Sequence, residues 1–247
     1  MGTKSRRRSP RYIGVDGCPG GWFYFLHESG EYEFGVVDHF VELVKPASAA
    51  DMLFVDIPIG LRGRDTQERL CDKEARKILT ARRSSVFPAP ARAVLNASSY
   101  TEAVDMNVNA SGRKISKQSW AITPKIREVD EVVRSSETIR KIVREAHPEV
   151  CFWGLAGGEP MVHYKKTQAG FEERLGLLVN AWSHSEEAAA RAFLRYSGLK
   201  VSRDDVLDAL VAMVTAMQPR EHLRTLPASP EIDDEGLPME MVYAVPS

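Results

Sequence analysis

Apolar and polar residues alternate through the first part of the chain. In Tyr12-Ile-Gly-Val-Asp16 the apolar positions Ile13 and Val15 recur every second residue, as in a half-buried strand. Asp16 closes that run immediately before the turn Gly17-Cys-Pro-Gly-Gly21, whose glycines permit positive φ and whose proline fixes one φ. Residues 22–27 and 32–37 read as two further strands separated by Gly30, so the pattern predicts an antiparallel meander of strands one to three. Phe40, Leu43 and Val44 then fall at helical spacing and predict a short helix over residues 39–44. Met52-Leu-Phe-Val55 is four consecutive apolar residues, the mark of a strand buried on both faces, as in a parallel sheet. Asp56 ends it and Pro58 forbids its continuation.

Residues 62 to about 138 read as a helical insertion. Residues 67–83 predict a helix with Leu70, Cys71, Ala75, Ile78 and Leu79 on one face and the charged stripe Arg69, Asp72, Arg76 on another, which pairing within the helix accounts for. Residues 105–128 predict an irregular stretch, with Asn107, Asn109, Ser111 and Gly112 as turn markers and Pro124 opening a helix that buries Ile126, Val129, Val132 and Val133. Residues 142–146 predict a short strand ending near Pro148. Two amphipathic helices follow, over residues 171–181 and up to about 196. The run from Ser202 to Met217 predicts a helix that is apolar or small almost all round. The last thirty residues, with five prolines, predict a tail wrapped on the domain or partly disordered, and the first ten a disordered basic arm.

Two strands that each end in an aspartate are the informative feature. If they are parallel neighbours, Asp16 and Asp56 lie side by side at the carboxyl ends of an α/β sheet, where ligands are met. Glu145 ends a third strand; His147, beside a proline, reads as structural or catalytic. Ser202 and Asp205 form a capping pair, but Asp208 lies a turn further into the apolar helix, where an uncompensated charge is costly. Candidate phosphate contacts are Arg69, Arg76, Arg83, Ser84, Ser85, Lys125, Lys165 and Lys166, although composition alone favours solvated helix-end charges for the Arg82-Arg83-Ser84-Ser85 run.

Composition adds bounds. The 247 residues are 43% hydrophobic and 27% charged with a net charge of -1, an ordinary globular balance that leaves any anion-binding surface local. Cys18, Cys71 and Cys151 are too few and too scattered for a disulfide framework or zinc set, and predict buried thiols of a reducing compartment. No apolar run suffices for a membrane span and no signal core follows the basic start, which predicts a cytoplasmic protein without membrane partners.

The motifs Val15-Asp-Gly-Cys-Pro-Gly-Gly-Trp22, Val55-Asp-Ile-Pro-Ile-Gly-Leu61, Arg69-Leu-Cys-Asp-Lys-Glu-Ala-Arg76, Arg83-Ser-Ser-Val-Phe-Pro88, Glu145-Ala-His-Pro-Glu149 and Asp205-Val-Leu-Asp-Ala209 resemble the family of predicted RNase-H-like nucleases catalogued as domain of unknown function 429. The last motif is also similar to the acidic C-terminal helix of Holliday-junction resolvases. The resemblance implies an α/β fold with an RNase-H-like mixed five-stranded sheet, strands 1–3 antiparallel and the rest parallel, over residues 11–217. It further implies a metal-dependent nuclease or other phosphodiesterase using two Mg²⁺ or Mn²⁺ ions. Asp16, Asp56, Asp208 and Glu145 would be catalytic, and Asp16, Asp56, Asp205 and Asp208 would hold metal. RNase H proper carries a glutamate on the helix after strand three, and only Glu42 stands near that place. A nucleotide-dependent phosphotransferase of the actin and sugar-kinase type, or a non-catalytic module that binds nucleic acid or phosphate, are the other readings. One RNase-H-like half argues against the phosphotransferase, which uses two.

Overall fold

The computed structural model describes residues 9–45, 47–49, 51–196 and 201–246. The predicted basic arm therefore lies outside the described residues, except for Ser9 and Pro10. Five strands, β1 (Arg11–Cys18), β2 (Gly21–Glu28), β3 (Glu31–Val37), β4 (Met52–Val55) and β5 (Val143–Glu145), form one sheet in the order β3-β2-β1-β4-β5. β1 pairs antiparallel with β2 and β2 with β3, whereas β1–β4 and β4–β5 are parallel. This is the predicted mixed sheet, and it is consistent with an RNase-H-like fold.

Helices α1 (Leu70–Leu79), α2 (Tyr100–Ser111), α3 (Lys117–Arg134) and α4 (Glu137–Ile142) lie between β4 and β5; α5 (Pro148–Leu155), α6 (Gln168–Ala181), α7 (Ser185–Tyr196) and α8 (Arg203–Met217) follow β5. Alternation along the strands divides them between two layers. Ile13, Val15, Leu53, Val55 and Val143 pack on one face against Ile126, Val129 and Val133 of α3. Phe23, Phe25, Met52 and Phe54 pack on the other against α8, with α5, α6 and α7 around it. α8 is buried continuously from Val206 to Thr215 and beyond, as its sequence required.

Four local expectations change. Residues 105–128, predicted irregular, are largely helical: α2 runs on to a left-handed Gly112, and α3 begins at a Ser116 cap. Pro124 stands inside α3 and does not open it. Residues 39–44 give only a 3₁₀ turn over Phe40–Glu42. The C-terminal stretch is a hairpin, β6 (Leu223–Ile232) and β7 (Pro238–Ala244), whose Leu226, Met239 and Met241 pack on Cys71, Ala75 and Leu79 of α1. Its prolines are absorbed by an irregularity between Leu226 and Glu231, where the ladder skips Pro227 and Pro230. Among the described residues no helix is long and apolar enough to cross a membrane.

Candidate metal and phosphate site

The register of β1 on β4 pairs Val15 with Val55, and the Asp56 N–H continues the ladder by donating to the Val15 carbonyl at 3.0 Å. Asp16 and Asp56 thus follow paired residues on adjacent parallel strands. Asp16 shares the parity of Gly14, and Gly14 faces α8. A Cβ built on Gly14 would lie 2.1 Å from both the Ala209 carbonyl oxygen and the Met213 nitrogen, so only glycine admits the helix at this depth. Ala209 and Ala212 supply the matching small surface. Close docking of α8 carries Asp208, one turn in, to the strand ends. Asp16 is 8% exposed and Asp208 5%, and Asp56 is half-buried.

Electrostatics report the convergence. Burial raises the Asp16 carboxyl well above its ordinary range, and Asp56, Asp208 and Asp205 push it further against the pull of Lys165. Asp208 is raised to about 6 by burial and by Asp56 and Glu149, with Lys165 opposing. Asp56 is raised by burial, opposed by His147 and Lys165. The Lys165 ammonium stands 2.7 Å from an Asp208 oxygen. Although burial disfavours its charge, the acids around it raise its pKa, Asp208 foremost.

Glu145 does not join this cluster. It pairs in register with Val55, one position before Asp56, so strand alternation sends it to the opposite face. There it meets Arg69 in a fork of two hydrogen bonds, each 2.8 Å, and accepts a third from the Ile59 N–H at 2.7 Å. Burial raises Glu145 to about 7 against the pull of Arg69. Arg69 precedes α1 as its cap residue, binds Asp72 at 2.5 Å and donates to the Ile59 and Gly60 carbonyls. Arg69 and Asp72 of the predicted charged stripe pair with each other as expected, but inside a buried Asp72–Arg69–Glu145 network, and the guanidinium is already occupied. Arg76 pairs with Glu68. Arg83, Ser84 and Lys166 are exposed. Asp205 accepts from the Ser202 N–H at 2.8 Å in a complete capping box, while staying close enough to perturb Asp16. Glu42 is exposed and accepts from the His39 N–H at 2.9 Å.

A cavity of about 270 Å³ opens over the strand ends, lined by Asp16, Asp56, Ser85, Lys125 and His147, with Phe87, Gln118 and Glu145 at its walls. Lys125 crosses Gly17, where any Cβ would lie 2.7 Å from its side chain. Its Nζ donates to the Gly21 carbonyl at 2.5 Å and sits 4.3 Å over the Trp22 ring. His147 interacts with the Ser85 carbonyl through Nε2 at 3.2 Å, which makes Nε2 the protonated nitrogen and leaves Nδ1 an acceptor without a hydrogen-bond partner.

A family model described as "Protein of unknown function (DUF429)" matches residues 14–232. The chain belongs to that family. No curated protein and no solved structure matches it. The DUF429 match takes in every residue of the carboxylate cluster and of its cavity but Met241.

His147 and Gly14 are what sequence reasoning undervalued. The histidine carried only its place after Glu145; the glycine looked like one of several in a strand-and-turn segment. Among the described residues no three His, Cys, Asp or Glu side chains are placed to hold a metal ion as they stand. The donors nevertheless suit a hard divalent cation: they are carboxylate oxygens, mutually repelling, and already drawing one ammonium among them.

Proposed function

We propose that this DUF429 protein is a divalent-metal-dependent phosphodiesterase acting on nucleic acid in the cytoplasm. The observation that carries the reading is the gathering of Asp16, Asp56 and Asp208 from two parallel strands and a helix, with Asp16 and Asp56 lining one cavity beside Lys125 and His147. Asp16, Asp56 and Asp208 would hold Mg²⁺ or Mn²⁺, with Asp205 at the margin and at most two ions. Ions so held supply charge neutralisation for an in-line displacement at phosphorus.

The chain's own groups have separable tasks. Lys125 offers its ammonium to a phosphate oxygen, and the missing side chain at Gly17 makes room for the lysine stem that carries it. Phe87, 40% exposed at the cavity, is a surface on which a base can stack. His147 can take a proton at Nδ1 while Nε2 remains on Ser85. Arg69 and Glu145 act by fixing the Ile57–Leu61 turn below the cavity, since both bind its backbone.

The test is a panel of labelled DNA, RNA and hybrid substrates with Mg²⁺ or Mn²⁺ and a chelator control. Cleavage that requires the metal and is lost in Asp56→Asn is expected. Cleavage surviving both the chelator and Asp56→Asn would exclude the proposed chemistry, and ATP turnover without nucleic acid would point to phosphotransfer.

A further inference from the structure

The ammonium of Lys165 is a fixed charge among the acids, and the segment that carries it is fastened. The N–H groups of Val162 and His163 donate to Glu173 at 2.7 and 2.9 Å, and the His163 carbonyl accepts from Arg174 at 3.2 Å. Arg174 is itself locked on Glu149 by a buried pair at 2.7 Å. Arg82 donates to the Met161 carbonyl at 3.0 Å, and Thr167 returns the chain into α6 by accepting from the Gly170 N–H. Even Gly170 is fitted to this turn, because a Cβ there would lie 2.1 Å from the Tyr164 carbonyl oxygen. The backbone at residue 165 is thus set by contacts on both sides. Its four-carbon stem is the only part left to swing, and the side chain is 33% exposed, which gives it a way out to water.

We propose that Lys165 is a built-in counter-ion on the Asp208 side of the carboxylate site, so that a divalent ion at Asp208 competes with its ammonium. This rests on reading the cluster as a divalent-ion site. An ammonium 2.7 Å from one Asp208 oxygen sets its charge against any divalent cation that approaches the same carboxylate. The first ion therefore settles against Asp16 and Asp56, and a second competes with the lysine. Without metal, the ammonium spares Asp208 the cost of a buried unpaired charge. Once displaced, the ammonium is released beside the cavity, where a phosphate oxygen is its natural partner.

The experiment counts bound Mn²⁺ by electron paramagnetic resonance of the free ion, on the full chain. The variants are wild type, Lys165→Met, Lys165→Arg and the double variant Lys165→Met/Asp208→Asn. Wild type should take one ion firmly and a second at least tenfold more weakly. Lys165→Met should tighten the second ion tenfold or more, Lys165→Arg should resemble wild type, and the double variant should lose the gain. Equal stoichiometry and affinity in wild type and Lys165→Met would overturn the role of Lys165 while leaving the metal site intact. No uptake by either protein at millimolar Mn²⁺, with both folded by circular dichroism, would overturn the metal reading and this inference with it. Lys165→Gln, closer in polarity, gives the same comparison if the methionine variant does not fold.

Discussion

Replacing Gly14 by alanine tests how the helix delivers its acid to the strand ends. The added methyl would begin 2.1 Å from two backbone atoms of α8, the Ala209 oxygen and the Met213 nitrogen. Neither is the end of a flexible side chain, so relief comes only from moving the helix or β1. Reaching ordinary contact near 3.4 Å requires about 1.3 Å of separation along an interface that is otherwise close-packed. Overpacking of this kind costs roughly 1–3 kcal/mol, and the upper end applies because backbone must give way. For a chain of this size that lowers the melting temperature by about 6–12 °C. A displacement near 1 Å also weakens any site shared between β1 and α8, so Mn²⁺ affinity should fall about tenfold or more. The assay is urea and thermal unfolding with and without Mn²⁺. Gly176→Ala is the control, since its Cβ would meet nothing at this exposed position of α6 and should stabilise by about 0.5–1 kcal/mol. A Gly14→Ala protein within about 0.5 kcal/mol of wild type and with unchanged Mn²⁺ affinity would refute the reasoning.

Other expectations follow from the same contacts. Arg69→Met leaves Glu145 and Asp72 buried without their cation and should cost about 3–5 kcal/mol in urea unfolding, with Glu145→Gln added in the double variant recovering part of it. Ser202→Ala removes one half of the capping box and should cost about 1 kcal/mol without changing Mn²⁺ affinity. Asp208 is raised from 3.8 to about 6 in the folded chain, so the metal-free native state binds more protons than the unfolded one between those values. Its contribution is present below about pH 4 and lost as pH rises through about 6, a loss of up to about 3 kcal/mol that Asp208→Asn should flatten in chelator-treated thermal melts.

The sheet was legible because its signals are local. A glycine-rich turn between alternating runs specifies the hairpin, and Met52-Leu-Phe-Val55 followed by Asp56 specifies a buried parallel strand with an acid at its end. Asp208 was legible for the same reason: it interrupts an apolar helix. What failed depended on partners distant in sequence. Glu145 looked like a third strand-end acid, and only its register opposite Val55 shows that it faces Arg69. The hairpin at residues 223–244 was hidden by its prolines, which sit at an irregularity in the ladder, and by the turn acid Asp233. That acid accepts from Glu235 and Leu237 within the turn and from Leu61 across the molecule. Propensity places Pro124 at a helix start, yet Ile126, Val129 and Val133 bury the same helix on the sheet and override it. Lys165, read as a phosphate contact, is held by Asp208 across 43 positions of sequence.

The most direct measurement of the central claim is anomalous scattering from a crystal grown or soaked in Mn²⁺. A peak bounded by the carboxylates of Asp16 and Asp56, absent from crystals of Asp56→Asn, is the predicted result. Ordered, empty carboxylates at saturating Mn²⁺, or a peak elsewhere on the molecule alone, would contradict it.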